Sequence, residues 1–69
     1  MKIGDKMKVL GFDCGARAYH KFNVMGIRIG SILVLEAVQP HGPYTFRMKG
    51  MKLTIGRGLL EKLRYEVIE

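Results

Sequence analysis

The chain has no tryptophan, one cysteine and two prolines in 69 residues, and its six acidic side chains are outnumbered by twelve lysines and arginines. Each shortage excludes something. Cys14 has no second cysteine to pair with, so a small core must hold without an internal disulfide, and a reducing compartment fits. No run of ~20 apolar residues is present to span a bilayer as a helix. The opening Met1-Lys2-Ile3-Gly4-Asp5 disperses its charges unlike a signal peptide, and a cytoplasmic setting is expected. Serine and threonine hydroxyls are confined to Ser31, Thr45 and Thr54, none beside a plausible base in sequence. The carboxylates Asp5, Asp13, Glu36, Glu61, Glu66 and Glu69 read more simply as solvated charges than as an acid–base pair. An enzyme is therefore not expected.

What is there is small and basic. Residues 1–69 suit a single domain, with no linker, repeat or low-complexity tract. A chain of this size buries only ~60% of the surface it exposes when unfolded, which leaves little room for an enclosed active site. The formal charge of +6 favours an anionic partner, whether nucleic acid, lipid headgroups or an acidic protein, without choosing among them.

Short elements separated by glycine and proline fill the chain. Lys6 to Phe12 alternates as a strand with Met7 and Val9 inward. Ala18, Phe22 and Met25 recur at i, i+4 and i+7, one face of a short helix that Gly26 stops, because glycine can take the left-handed conformation of a helix C-terminus. After Ile27-Arg28-Ile29, the pair Gly30-Ser31 makes a turn, and Ile32 to Val38 runs on as a β-rich strand. That strand has so little polar face that it is expected to be buried on both sides or to pair with another chain. Pro40-His41-Gly42-Pro43 reads as a loop. Tyr44–Met48 and Met51–Ile55 then alternate around a Lys49-Gly50 hairpin turn, placing Tyr44, Phe46, Met48, Met51, Leu53 and Ile55 inward. Gly56 to Leu63 reads as a turn and one helical turn, and Arg64 to Ile68 as a last strand with Tyr65 and Val67 inward. About five strands with one or two short helices hide their edges best by curling, so the expected fold is mainly β, a small SH3-like barrel.

At this point the order of signals resembles a known family. Gly4-Asp5 before the first strand, Met25-Gly26-Ile27 followed by Gly30-Ser31, Pro40-His41-Gly42-Pro43, the hairpin glycine Gly50, Leu53-Thr54-Ile55 and the final Val67 are together similar to the FeoA family, ferrous iron transport protein A, over nearly the whole chain. Two departures are visible: Lys21-Phe22 stands where Arg-Leu is more usual, and Ile29 precedes Gly30 where a proline is common. The resemblance implies an SH3-like domain and a cytoplasmic accessory protein that binds and modulates the membrane GTPase-permease ferrous iron transport protein B. It brings an association with iron but no bound cofactor.

The residues expected to carry partner contact lie at the helix-to-strand junction: Lys21, Met25, Ile27, Arg28 and Ile29. Phe22 and Met25 read first as the helix's core anchors, whereas Ile27 and Ile29 beside a glycine turn read as an exposed apolar knob. Cys14, His20 and His41 are weak metal candidates, because their spacing is not a compact ligand motif. Gly56-Arg57-Gly58 lacks the rest of a phosphate loop and reads as turn chemistry. The alternative is a basic barrel that binds nucleic acid, stacking bases on some of Phe12, Tyr19, Phe22, Tyr44, Phe46 and Tyr65, or a module of the kind found in metal-dependent regulators.

Overall fold

A computed structural model describes residues 1–68; Glu69, read above as a solvated charge, lies outside them. Strand β1 (Lys6–Phe12) leads into helix α1 (Ala16–Met25), then β2 (Ile32–Val38), β3 (Tyr44–Met48), β4 (Met51–Ile55), the one-turn helix α2 (Arg57–Leu60) and β5 (Leu63–Val67). The strands form one antiparallel sheet in the order β4-β3-β2-β1-β5. This is the mainly β, SH3-like arrangement expected, with one difference. The sheet does not close through hydrogen bonds, and β4 and β5 remain its edges.

Alternation builds the core. Met7 and Val9 of β1, Leu33 and Leu35 of β2, Phe46 and Met48 of β3 and Ile55 of β4 turn to one side and are buried there with Phe22, Ile27, Leu60 and Leu63. Two bulges interrupt the ladder, at Leu10 against β5 and at Glu36 against β3, adding twist that bends the sheet around this core. The β3–β4 hairpin turns on Lys49 and Gly50, both at positive φ (50° and 80°), the geometry whose twist matches that of the flanking strands.

The expected inward set needs correcting at the edges. Met51 is 54% exposed and Val67 48% exposed, since each lies at an end of an edge strand, where the sheet has no further strand to cover it. Tyr44, Leu53 and Tyr65 are half-buried and pack against the core from its rim. Strand β2 is not buried on both sides: Leu33 and Leu35 are inside, but Ile32 is exposed and Val34 half-exposed on the outer face.

Candidate functional site

The helix-to-strand junction is assembled from two consecutive turns. At the end of α1, Gly26 takes φ 82°, its N–H donates to the Asn23 carbonyl, and the Ile27 N–H donates to the Phe22 carbonyl, both at 3.0 Å. This pairing is the Schellman arrangement, in which the residue after the glycine folds back onto the helix and packs its apolar side chain there. Ile27 and Phe22 are accordingly both fully buried. Ile27, expected as half of an exposed knob, is thus a core residue. Met25 is half-buried against the same core and Lys21 is exposed on the helix.

The second turn presents what the first conceals. The Ser31 N–H donates to the Arg28 carbonyl at 2.9 Å, and Gly30 sits at φ 93°, as the third residue of a type II turn requires. The Ser31 hydroxyl accepts the Arg28 N–H at 2.9 Å, and the Gly30 N–H donates to the Val9 carbonyl at 2.7 Å, fixing the turn to the sheet. Ile29 occupies the apex position where proline is favoured, and it is 70% exposed.

The same turn is built a second time before β1. In Lys2-Ile3-Gly4-Asp5 the Asp5 N–H donates to the Lys2 carbonyl at 2.9 Å, Gly4 has φ 96°, and the Asp5 carboxylate accepts the Lys2 N–H at 2.8 Å. Ile3 at its apex is as exposed as Ile29. The repeat of cation, isoleucine, glycine and short side-chain acceptor is plain in the sequence, yet its meaning depends on the shared hydrogen-bond pattern.

The 28–31 turn borders a groove. Below the Val34–Arg47 pair, β2 and β3 part, and a groove of about 930 Å³ opens between the 28–31 turn and the β3–β4 hairpin. Ile29, Ile32, Val34 and Met51 supply its apolar lining, while Arg28, Arg47 and Lys49 supply charge. Arg47 is held by Glu36, which accepts from its Nε. The guanidinium in turn, chiefly through that hydrogen bond, keeps the Glu36 carboxylate below the usual glutamate range.

The remaining sequence candidates do not converge. His20 and His41 are exposed, Cys14 is half-buried and free, and among the described residues no three His, Cys, Asp or Glu side chains come together to hold a metal ion. The aromatics mostly serve packing. Phe22 and Phe46 are buried, Phe12 packs on Tyr19 and Phe22 at 5.2 Å between ring centres, and Tyr44 stacks on Phe46 under the Arg57 guanidinium. Such rings offer no continuous stacking platform for bases. Arg57 also donates to the Tyr44 hydroxyl and the Gln39 carbonyl, each at 3.0 Å, so it pins the loop after β2 rather than cradling phosphate. No helix among the described residues is long and apolar enough to cross a membrane.

Known proteins share this arrangement. The FeoA domain family matches residues 1–67. A protein of Methanocaldococcus jannaschii assigned as an Fe(2+) transport protein A is 38% identical over 68 residues, covering 99% of this chain and 82% of the relative. The crystal structure of an iron uptake regulatory protein (FeoA) superposes with TM-score 0.90 at 28% identity, covering 99% of this chain and 91% of the other. The solution structure of a FeoA-like protein from Clostridium acetobutylicum gives TM-score 0.88 at 26% identity, covering 100% and 81%. With nearly every residue matched and the junction glycines in their left-handed places, the chain belongs to the FeoA family.

Proposed function

We propose that this protein is a non-enzymatic accessory of ferrous iron uptake, a cytoplasmic partner that binds the cytoplasmic region of the GTPase-permease ferrous iron transport protein B. The family and the relatives' designations support the iron system. The observation that carries the contact is Ile29, an apolar side chain held 70% exposed on a turn tied to the sheet by Gly30 and Ser31. Rigid apolar anchors of this kind concentrate binding energy, because little side-chain or backbone freedom is lost on docking. Arg28, beside it in the same turn, adds positive charge. Iron is the transporter's cargo in this reading. The protein's own part is to bind one conformation of the permease more tightly than another, the only way a non-catalytic partner can bias it.

The test is binding of the purified cytoplasmic region of the cognate permease to the wild type, Ile29→Asp and Ile3→Asp. Ile29→Asp should weaken binding about tenfold or more with an unchanged fold, whereas Ile3→Asp, on the twin turn away from the groove, should bind normally. No binding by the wild type in any nucleotide state would overturn the proposal, and full binding by Ile29→Asp would remove the turn from the contact.

A further inference from the structure

The outer face of the sheet carries a second pattern. Strand register places Lys6 beside Val34, Val34 beside Arg47 and Arg47 beside Lys52, a single row across four strands. Its outer members are both exposed lysines, and its middle is apolar at Val34 and charge-compensated at Arg47 by Glu36. One row along, Lys8 stands beside Ile32. The half-apolar strip of Ile32 and Val34 therefore runs into the groove of Ile29 and Met51 with lysines on both flanks: Lys6 and Lys8 on one, Lys49 and Lys52 on the other. Among the described residues, the acidic groups on this face are Glu36, paired with Arg47, and Glu66, which stands across from Lys8 in the register, one carboxylate against four flanking lysines. The flanks thus keep an excess of positive charge.

Dimensions choose the occupant. Lys6 and Lys52 are three strand spacings apart, ~14 Å, close to the ~10–12 Å diameter of a helix with its side chains. An extended peptide gains its main-chain hydrogen bonds at the open edges β4 and β5, not on this face, whose strands β1, β2 and β3 already pair on both sides. A lipid surface is flat and would not enter a groove walled by a turn and a hairpin. We infer that this face docks an acidic amphipathic helix, its aliphatic seam on Ile29, Ile32, Val34 and Met51 and its carboxylates toward the lysines on either side. A seam at i, i+3, i+4 and i+7 with flanking charges is how helices are read in grooves. The inference rests on the proposed function in that such a helix would belong to the permease's cytoplasmic region.

A peptide with leucines at that spacing and glutamates on both flanks is the probe, and the same pattern with lysines for glutamates is the control. Titration into labelled protein should shift the amides of residues 29–34 and 47–52 with the acidic peptide only. Lys6→Glu combined with Lys52→Glu, at exposed positions that leave the circular dichroism unchanged, should weaken binding about tenfold. Anionic phospholipid vesicles and a short DNA duplex complete the set. The inference is overturned if the acidic peptide shifts nothing or shifts another face, if the double reversal binds equally well, or if vesicles or DNA occupy this face while the peptide does not. Should the permease region bind while the acidic peptide fails, this inference falls and the proposed function stands. Should the peptide bind here while the permease region binds nowhere, the permease reading falls and the helix-docking face stands.

Discussion

The Ile27 N–H donates to the Phe22 carbonyl at 3.0 Å, and this one bond decides which of two neighbouring isoleucines is core and which is surface. By folding Ile27 back onto the helix end it completes the Schellman motif, and the next turn then lifts Ile29 out into solvent. Ile27→Ala should cost about 2–5 kcal/mol, as for other fully buried aliphatic truncations, and Ile27→Asp should leave the protein unfolded. Ile29→Asp should change stability by no more than about 0.5 kcal/mol. Urea denaturation of the three variants measures the contrast.

Gly26 controls the same motif through its backbone. At φ 82° a Cβ would meet nothing tighter than the Met48 methyl at 3.7 Å, so space is not the obstacle. The cost of Gly26→Ala is conformational, about 1–2 kcal/mol. A crystal or solution structure of the variant should retain the fold, with the loss seen as a lower denaturation midpoint.

Much of this junction was legible in the sequence, and the failures have particular causes. Gly26 and Gly30 mark their turns without ambiguity, because L-residues avoid the conformations both adopt. Ile27 was misplaced although a signal existed: an apolar residue directly after a C-terminal helix glycine normally contacts the helix it has just left. Met51 and Val67 obey a period of two, yet alternation says which face a side chain takes and nothing about how far the opposing layer extends. The Leu10 and Glu36 bulges, the Glu36–Arg47 pair and the Arg57–Tyr44 stack join residues with no local pattern between them. Only the folded register brings them together. The lysine-flanked strip was invisible for the same reason, since Lys6 and Lys52 become members of one row only through three successive pairings.

The hairpin offers a stabilising change. Lys49 holds φ 50°, a conformation that asparagine and glycine adopt at less cost. Lys49→Asn should raise stability by about 0.5–1 kcal/mol, measured as a shifted urea midpoint with unchanged slope. Because Lys49 flanks the groove, the same variant should bind the acidic peptide somewhat more weakly, separating stability from docking.

Glu36 and Arg47 make part of the stability dependent on acid. The folded-state carboxylate titrates below its ordinary value because Arg47 hydrogen-bonds its charged form. Its contribution is therefore fully present above the unfolded glutamate pKa of ~4.3 and is lost as pH falls through the lower, folded value. Carboxyl NMR titration should find Glu36 titrating below the ordinary glutamate range, and Arg47→Gln should return it toward that range. A wild-type Glu36 midpoint within the ordinary glutamate range would show that the pair does not persist in solution.

Arg57 is the last test, of a contact that ties two distant segments. Its guanidinium carbon stands 4.9 Å from the centre of the Tyr44 ring, while the same group donates to the Tyr44 hydroxyl and the Gln39 carbonyl. One side chain thus joins α2 to β3 and to the loop that carries His41 and both prolines. Arg57→Ala removes the stack and both donors, which should cost about 1–2 kcal/mol and raise amide exchange at Gln39 and Gly42, whose N–H groups are hydrogen-bonded within the loop. Arg57→Lys retains the charge but not the planar fork that satisfies two acceptors at once, so it should recover less than half of the loss. If lysine restores both stability and exchange protection in full, charge alone holds the loop and the bidentate geometry is incidental.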